Sequence, residues 1–127
     1  MAEVTAIATA VVDRYVAIWN EHDAARRRAL IADTFTEDAT FVDPLMQSDS
    51  QDGFDALMAG VQTQFPDFRV RLTGDVDSHH DVLRFNWEYG PEGADAVVAG
   101  VDYAVLSTDG RFTSVTGFID LMPPMGA

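Results

Sequence analysis

The apolar residues change their period at Pro66, and that change restricts the fold more than any other feature of the chain. Before it they recur at helical steps. Val4, Ile7, Ala8, Val11, Tyr15, Ile18 and Trp19 lie three or four apart and form one stripe of an amphipathic helix. Asn20-Glu21-His22-Asp23 breaks the stripe, and Asp23 is a suitable N-cap for a short second helix through Arg26-Arg27-Arg28-Ala29-Leu30-Ile31. A short strand at 39–43 ends at Pro44. A third helix starts near Asp52, with Phe54, Leu57, Met58, Val61 and Phe65 on one side. Pro66 stops it, having no N–H to donate and disfavouring helical geometry in the residue before it.

After Pro66 the spacing is that of strands, at 68–72, 82–89, 97–106 and 112–121, with turn signals at Pro91-Glu92-Gly93 and Asp109-Gly110. In the second of these, Leu83, Phe85, Trp87 and Tyr89 share one face and Arg84, Asn86 and Glu88 the other. Helices followed by antiparallel strands describe an α+β fold with helices on one face of a sheet. The strand at 97–106 is apolar on both faces: Val97, Ala99, Val101, Tyr103 and Val105 on one, Val98, Gly100, Ala104 and Leu106 around Asp102 on the other. Both faces therefore need cover. Helices can supply one, and a partner subunit the other, so a homodimer through the sheet face is expected.

Composition narrows the function. The chain has 127 residues, the size of one domain, and 1–127 is read as such. At 47% hydrophobic it is too apolar for a disordered acidic tail. It has no Cys, so disulfides, thiol nucleophiles and cysteine metal sites are excluded. All 8 basic residues are Arg, which rules out Schiff-base chemistry on a lysine. The 21 acidic residues give a net charge of -13, which repels phosphate backbones and anionic lipid, so nucleic acid and membrane surfaces are not expected partners. Residues 1–12 carry Glu3 and no positive charge, unlike the basic start of a signal peptide, and a cytoplasmic protein is the expectation. Gly-x-Gly-x-x-Gly, Gly-Lys-Ser/Thr and Gly-x-Ser-x-Gly are all missing. His79-His80-Asp81 lies between strands, where polar residues are expected, and adjacent histidines rarely share one ion because neighbouring strand residues point to opposite faces, so the segment reads as a solvated turn and no metal is expected. Arg26-Arg27-Arg28 reads as a solvated helix face making local ion pairs.

Three polar residues sit on apolar elements, and each admits two readings. Tyr15 is either a core tyrosine whose hydroxyl finds a backbone partner or a functional group. Asp43 precedes Pro44 and is either a turn residue or a reactive carboxylate. Asp102 lies among aliphatic residues with no cation on its strand. Burial of that kind raises a carboxyl pKa and can keep the group protonated, unless the residue is there for a structural hydrogen bond.

With these residues the chain resembles the nuclear transport factor 2-like superfamily, which includes ketosteroid isomerases, SnoaL-type polyketide cyclases and limonene epoxide hydrolase. Val11-Val12-Asp13-Arg14-Tyr15-Val16 is similar to the helix carrying the isomerase's oxyanion tyrosine, Phe41-Val42-Asp43-Pro44 to the segment carrying its general base, and Val97-Val98-Ala99-Gly100-Val101-Asp102 to the strand carrying its protonated acid. Phe65-Pro66-Asp67-Phe68, Trp19-Asn20-Glu21-His22-Asp23 and Val115-Thr116-Gly117-Phe118-Ile119-Asp120 resemble small SnoaL-like bacterial proteins. The resemblance implies a cone-shaped fold, with three N-terminal helices packed on a curved, mostly antiparallel sheet around an apolar cavity. It implies a cofactor-independent, ketosteroid isomerase-like proton transfer on a small hydrophobic cyclic ketone, with Asp43 as base and Tyr15 and Asp102 as donors. The alternative is a protein that binds a hydrophobic metabolite without chemistry. Residues expected to contact the ligand are Trp19, Phe41, Phe54, Met58, Phe85, Trp87 and Phe118. Gly117 stands where the cyclases carry an acid–base aspartate, and Gly100 where the epoxide hydrolase needs arginine, so those two activities fit less well.

Overall fold

The computed structural model describes residues 2–123. Its elements run α1 (Ala2–Asn20), α2 (Ala24–Thr34), β1 (Phe35–Val42), β2 (Gln47–Ser48), α3 (Gln51–Gln64), β3 (Phe68–His79), β4 (Val82–Pro91), β5 (Val98–Leu106) and β6 (Phe112–Leu121). The strands form one sheet in the order β2-β1-β6-β5-β4-β3. Every neighbouring pair is antiparallel except β1 with β6, which are parallel. This is the expected α+β architecture, with the helices on one face of the sheet.

Local chemistry accounts for the helix ends. The Asp23 carboxylate accepts from the Arg26 N–H and caps α2. Ser50 caps α3 through Gly53 N–H, two residues before the expected start. At the other end the Phe65 N–H closes on Val61 before Pro66 ends the helix. Asn20 fastens the end of α1 to β3: its side chain donates to the Val70 carbonyl at 2.9 Å and accepts from the Val70 N–H at 2.8 Å, taking the place of a neighbouring strand.

The sheet curves where β3 departs from its register. Thr73 pairs with Asn86 and Asp77 with Arg84, leaving Gly74, Asp75 and Val76 opposite a single residue of β4. Gly74 sits at φ +82°, a conformation open to glycine. The bulge also explains why β3 runs to His79 rather than ending at Leu72.

The concave face and the helices enclose the core, in which Ala8, Val11, Val12, Tyr15 and Ile18 of α1 meet Phe54 and Met58 of α3, Leu83 and Phe85 of β4, and Phe112 and Val115 of β6. Ile7, expected on the α1 stripe, is 47% exposed, because it lies beyond the core beside the turn at Gly110. The convex face has no helix over it and presents Val42, Tyr103 and Phe118 to solvent, the last two in edge-to-face contact. No helix among the described residues is long and apolar enough to cross a membrane.

Candidate active site

A cavity of about 520 Å³ opens between α1, α3 and the concave face of the sheet. Such a volume suits a small organic ligand. Its walls are almost wholly apolar, built from Trp19, Phe41, Met46, Val61, Phe65, Phe68, Val70, Tyr89, Val98 and Ile119. Polar groups gather among Tyr15, Asp43, Trp87 and Asp102, which line the same cavity.

Strand alternation sets this convergence. Asp102 shares the concave face of β5 with Gly100 and Ala104, and its neighbours across the sheet are Phe85 on β4 and Gly117 on β6. Tyr15 reaches it from α1 and is 2% exposed, packed edge-on against Phe85 and Phe112 with ring centroids 5.6 and 5.7 Å away. The Tyr15 hydroxyl donates to Asp102 Oδ2 at 2.9 Å, and the Trp87 indole N–H donates to Asp102 Oδ1 at 2.9 Å. Two glycines make room for this. A Cβ at position 100 would stand 2.7 Å from Trp87 Cζ2, and one at 117 would stand 2.8 Å from Asp102 Oδ1 and 3.1 Å from Asp43 Cβ.

Asp102 is 4% exposed, and no cation among the described residues bonds to it. Its pKa is raised from the ordinary 3.8 to about 6, chiefly by burial; the hydrogen bonds from Trp87 and Tyr15 hold the rise back, and the charge of Asp43 adds to it. The two donors thus leave the acid less protonated at neutral pH than burial alone would. Tyr15 moves well above its ordinary value of 10.0, chiefly through burial and then through the charge of Asp102, so its hydroxyl stays neutral.

Asp43 lies just past β1 and serves both readings. Its Oδ1 accepts from the Leu45 and Met46 N–H groups at 2.8 Å each, which is the turn role. Its Oδ2 has no hydrogen-bond donor among the described residues, and the side chain still borders the cavity.

Of the expected ligand contacts, Trp19, Phe41 and Trp87 line the cavity. Phe54, Met58 and Phe85 do not: each is 2% exposed or less and fills the core behind Tyr15. Phe118 points the other way and is 53% exposed on the convex face. Sequence reasoning missed the lining residues Leu45, Met46, Val97 and Ile119, and it missed the bond from Trp87 to Asp102. The alternation that faces Asp102 inward also faces Val98 and, across the sheet, Ile119 inward, and it was the available signal. His79 and His80 sit exposed at the β3–β4 turn with their Nδ1 atoms 3.0 Å apart. No group of three or more metal-ligating side chains occurs among the described residues. Arg26 and Arg28 are solvated as expected, but Arg27 is 5% exposed and bonds Asp55 at 2.7 Å, because α3 packs over that side of α2.

The sequence profile of the SnoaL-like domain matches residues 12–115, and the chain belongs to that family. A crystal structure from Agrobacterium tumefaciens, provisionally named an isomerase of the SnoaL-like family, is 36% identical. It covers 91% of this chain and 98% of its own, with a TM-score of 0.85. A nuclear transport factor 2-like protein of unknown function from Exiguobacterium is 24% identical over 87% of this chain and 98% of its own, TM-score 0.70. A protein with a cystatin-like fold from Methylobium petroleophilum is 16% identical over 97% and 82%, TM-score 0.74. The last two likenesses are of fold. No curated protein matches the sequence.

Proposed function

We propose that this protein is a cofactor-independent proton-transfer enzyme of the isomerase type, acting on a small hydrophobic cyclic ketone. The observation that carries the reading is the gathering of Tyr15, Asp43 and Asp102 on one apolar cavity. The Agrobacterium relative, provisionally named an isomerase, supports the general class.

In this reading the ligand's carbonyl oxygen meets the Tyr15–Asp102 pair. The Asp43 carboxylate breaks a C–H bond beside the carbonyl and takes the proton, and the electron pair forms the enolate. The same proton returns to the carbon two positions further along the conjugated system, which moves the double bond with no net change in atoms. Negative charge on the oxygen is offset by hydroxyl donors fixed in a dry site, where they act more strongly than in water. Ligand entry expels water from around Asp102, which favours its neutral, donating form.

Asp43→Asn tests the assignment. Turnover of a β,γ-unsaturated cyclic ketone should fall about 100- to 10,000-fold while binding of a phenol of similar size persists. Unchanged turnover removes Asp43 as base. A second reading, binding without chemistry, draws support from the turn bonds that already occupy Asp43 Oδ1. Tight phenol binding by the wild type with no turnover of any such ketone would favour it.

A further inference from the structure

Asp102 has two oxygens in different company. Oδ2 faces the Tyr15 hydroxyl, whereas Oδ1 faces the space at Gly117, which the Asp43 Cβ also borders. A proton on Oδ2 stands beside the Tyr15 oxygen, which can accept it, whereas one on Oδ1 stands beside an N–H, which cannot. The Trp87 indole N–H occupies Oδ1 at 2.9 Å. An indole nitrogen donates and never accepts, so an oxygen held by it cannot also turn an O–H toward it.

We propose that Trp87 is a positioning residue: its N–H pins Asp102 Oδ1 as an acceptor and confines an incoming proton to Oδ2, beside Tyr15. The proposal deepens the isomerase reading and rests on it for its functional meaning, though not for its geometry. With the proton on Oδ2, two hydroxyl groups stand side by side. One can donate to the other, and the remaining O–H is free for a ligand oxygen in the cavity. A side chain at position 100 would meet the Phe118 carbonyl first and then the indole ring, so Gly100 leaves room for both. The titratable groups facing Asp102 are Tyr15 from α1 and Asp43 from the end of β1; β4 offers the uncharged Trp87 and β6 offers Gly117. The bond from Trp87 also favours the carboxylate form of Asp102, so losing it has a defined sign.

Carboxyl 13C NMR of the ligand-free protein tests this in wild type and in Trp87→Phe, which keeps an aromatic ring and loses the N–H. The wild-type Asp102 signal should titrate with a midpoint near 6. In Trp87→Phe the Asp102 midpoint should rise by about one pH unit, a tenfold gain in proton affinity. An unmoved midpoint overturns the proposal. Should the variant fail to fold, the wild-type indole 15N–1H resonance of Trp87 decides. It should stay protected from exchange through the whole titration and shift at the Asp102 midpoint; an indole signal blind to pH overturns the proposal. Neither readout uses turnover or a ligand. A negative result therefore removes the role of Trp87 and leaves the isomerase reading standing, and that reading falls separately on Asp43→Asn.

Discussion

Two buried polar clusters tie the helices of this protein together, and they differ in one respect. In the first, Arg27 of α2 donates to Asp55 of α3 at 2.7 Å and to Gln62 Oε1 at 2.9 Å, and Gln62 passes its own N–H to the Trp19 carbonyl of α1 at 3.0 Å. Charge is balanced, and the donors that face inward have acceptors. In the second, Tyr15 of α1 and Trp87 of β4 both donate to Asp102 of β5, and no cation answers the acid. Arg27 and Asp102 are about equally buried, at 5% and 4% exposed. Both clusters satisfy hydrogen bonds, so burial of polar groups does not single out the site. What separates them is charge. A fold gains nothing from an acid left without a counter-charge in a dry cavity, so Asp102 is the better candidate for chemistry and Arg27 for architecture.

The contrast breaks most visibly through Arg27. Arg27→Met keeps the length of the stem and leaves Asp55 without its closest partner. It should cost about 3 kcal/mol, read as a lower urea midpoint at constant slope, because a buried pair that loses one member keeps the desolvation cost of the other. Phenol binding by the fraction that remains folded should not change. A loss of binding without a loss of stability would mean that the two clusters had been assigned the wrong way round.

Next in size is the dependence of stability on pH. The folded-state pKa of Asp102 is raised from 3.8 to about 6. Below the lower value the group is protonated in both folded and unfolded chains, and its burial carries no ionisation cost. As pH rises toward 6 the unfolded chain gives up the proton first, so folding loses free energy, and above that the loss is complete. A rise of that size in proton affinity corresponds to about 2–3 kcal/mol. The measurement is the difference between wild type and Asp102→Asn in urea unfolding at pH 4 and pH 7.5, which cancels the other carboxylates. The wild type should fall relative to the variant on going to the higher pH. Parallel behaviour would mean that Asp102 is not an uncompensated acid, and the comparison with Arg27 would lose its basis.

Much of this was legible in the chain, for a physical reason. Helical and strand periods fix which face a residue takes, so the inward placement of Asp102 and Tyr15 follows from counting. Counting fails at a bulge. On β6, Leu106 pairs with Phe112 and Val105 with Ser114, so Thr113 is an extra residue in the ladder. The slip lets Phe112 and Val115 both face the core although they are three apart, and it turns Phe118 outward. Unbroken alternation from Phe112 would have placed Phe118 in the cavity, as expected. β2 is two residues long and leaves no period to read. The burial of Arg27 depends on Asp55, 28 positions away, and the bond from Trp87 to Asp102 joins positions 15 apart on two strands. Long-range pairings of that kind have no local signature.

The smallest effect separates the two ways of removing the Asp102 charge, and it tests the hydrogen-bond geometry directly. Asp102→Ala leaves the Tyr15 hydroxyl and the Trp87 N–H facing a void, with no donor at that position. Asp102→Asn can turn its carbonyl oxygen to Trp87 and its amide to Tyr15, since the reverse would set one N–H against another. In that pose the amide nitrogen stands where Oδ2 carries its proton in the neutral acid, and one N–H donates to the Tyr15 oxygen. The Tyr15 hydroxyl is then released toward the cavity. Asp102→Asn should therefore keep about tenfold more turnover than Asp102→Ala, and its phenol affinity should no longer change near pH 6, where the wild type's does. Equal losses in the two variants would show that Asp102 serves by its charge or its bulk and not by holding a hydrogen bond, and the likeness between its surroundings and an oxyanion site would fail with them.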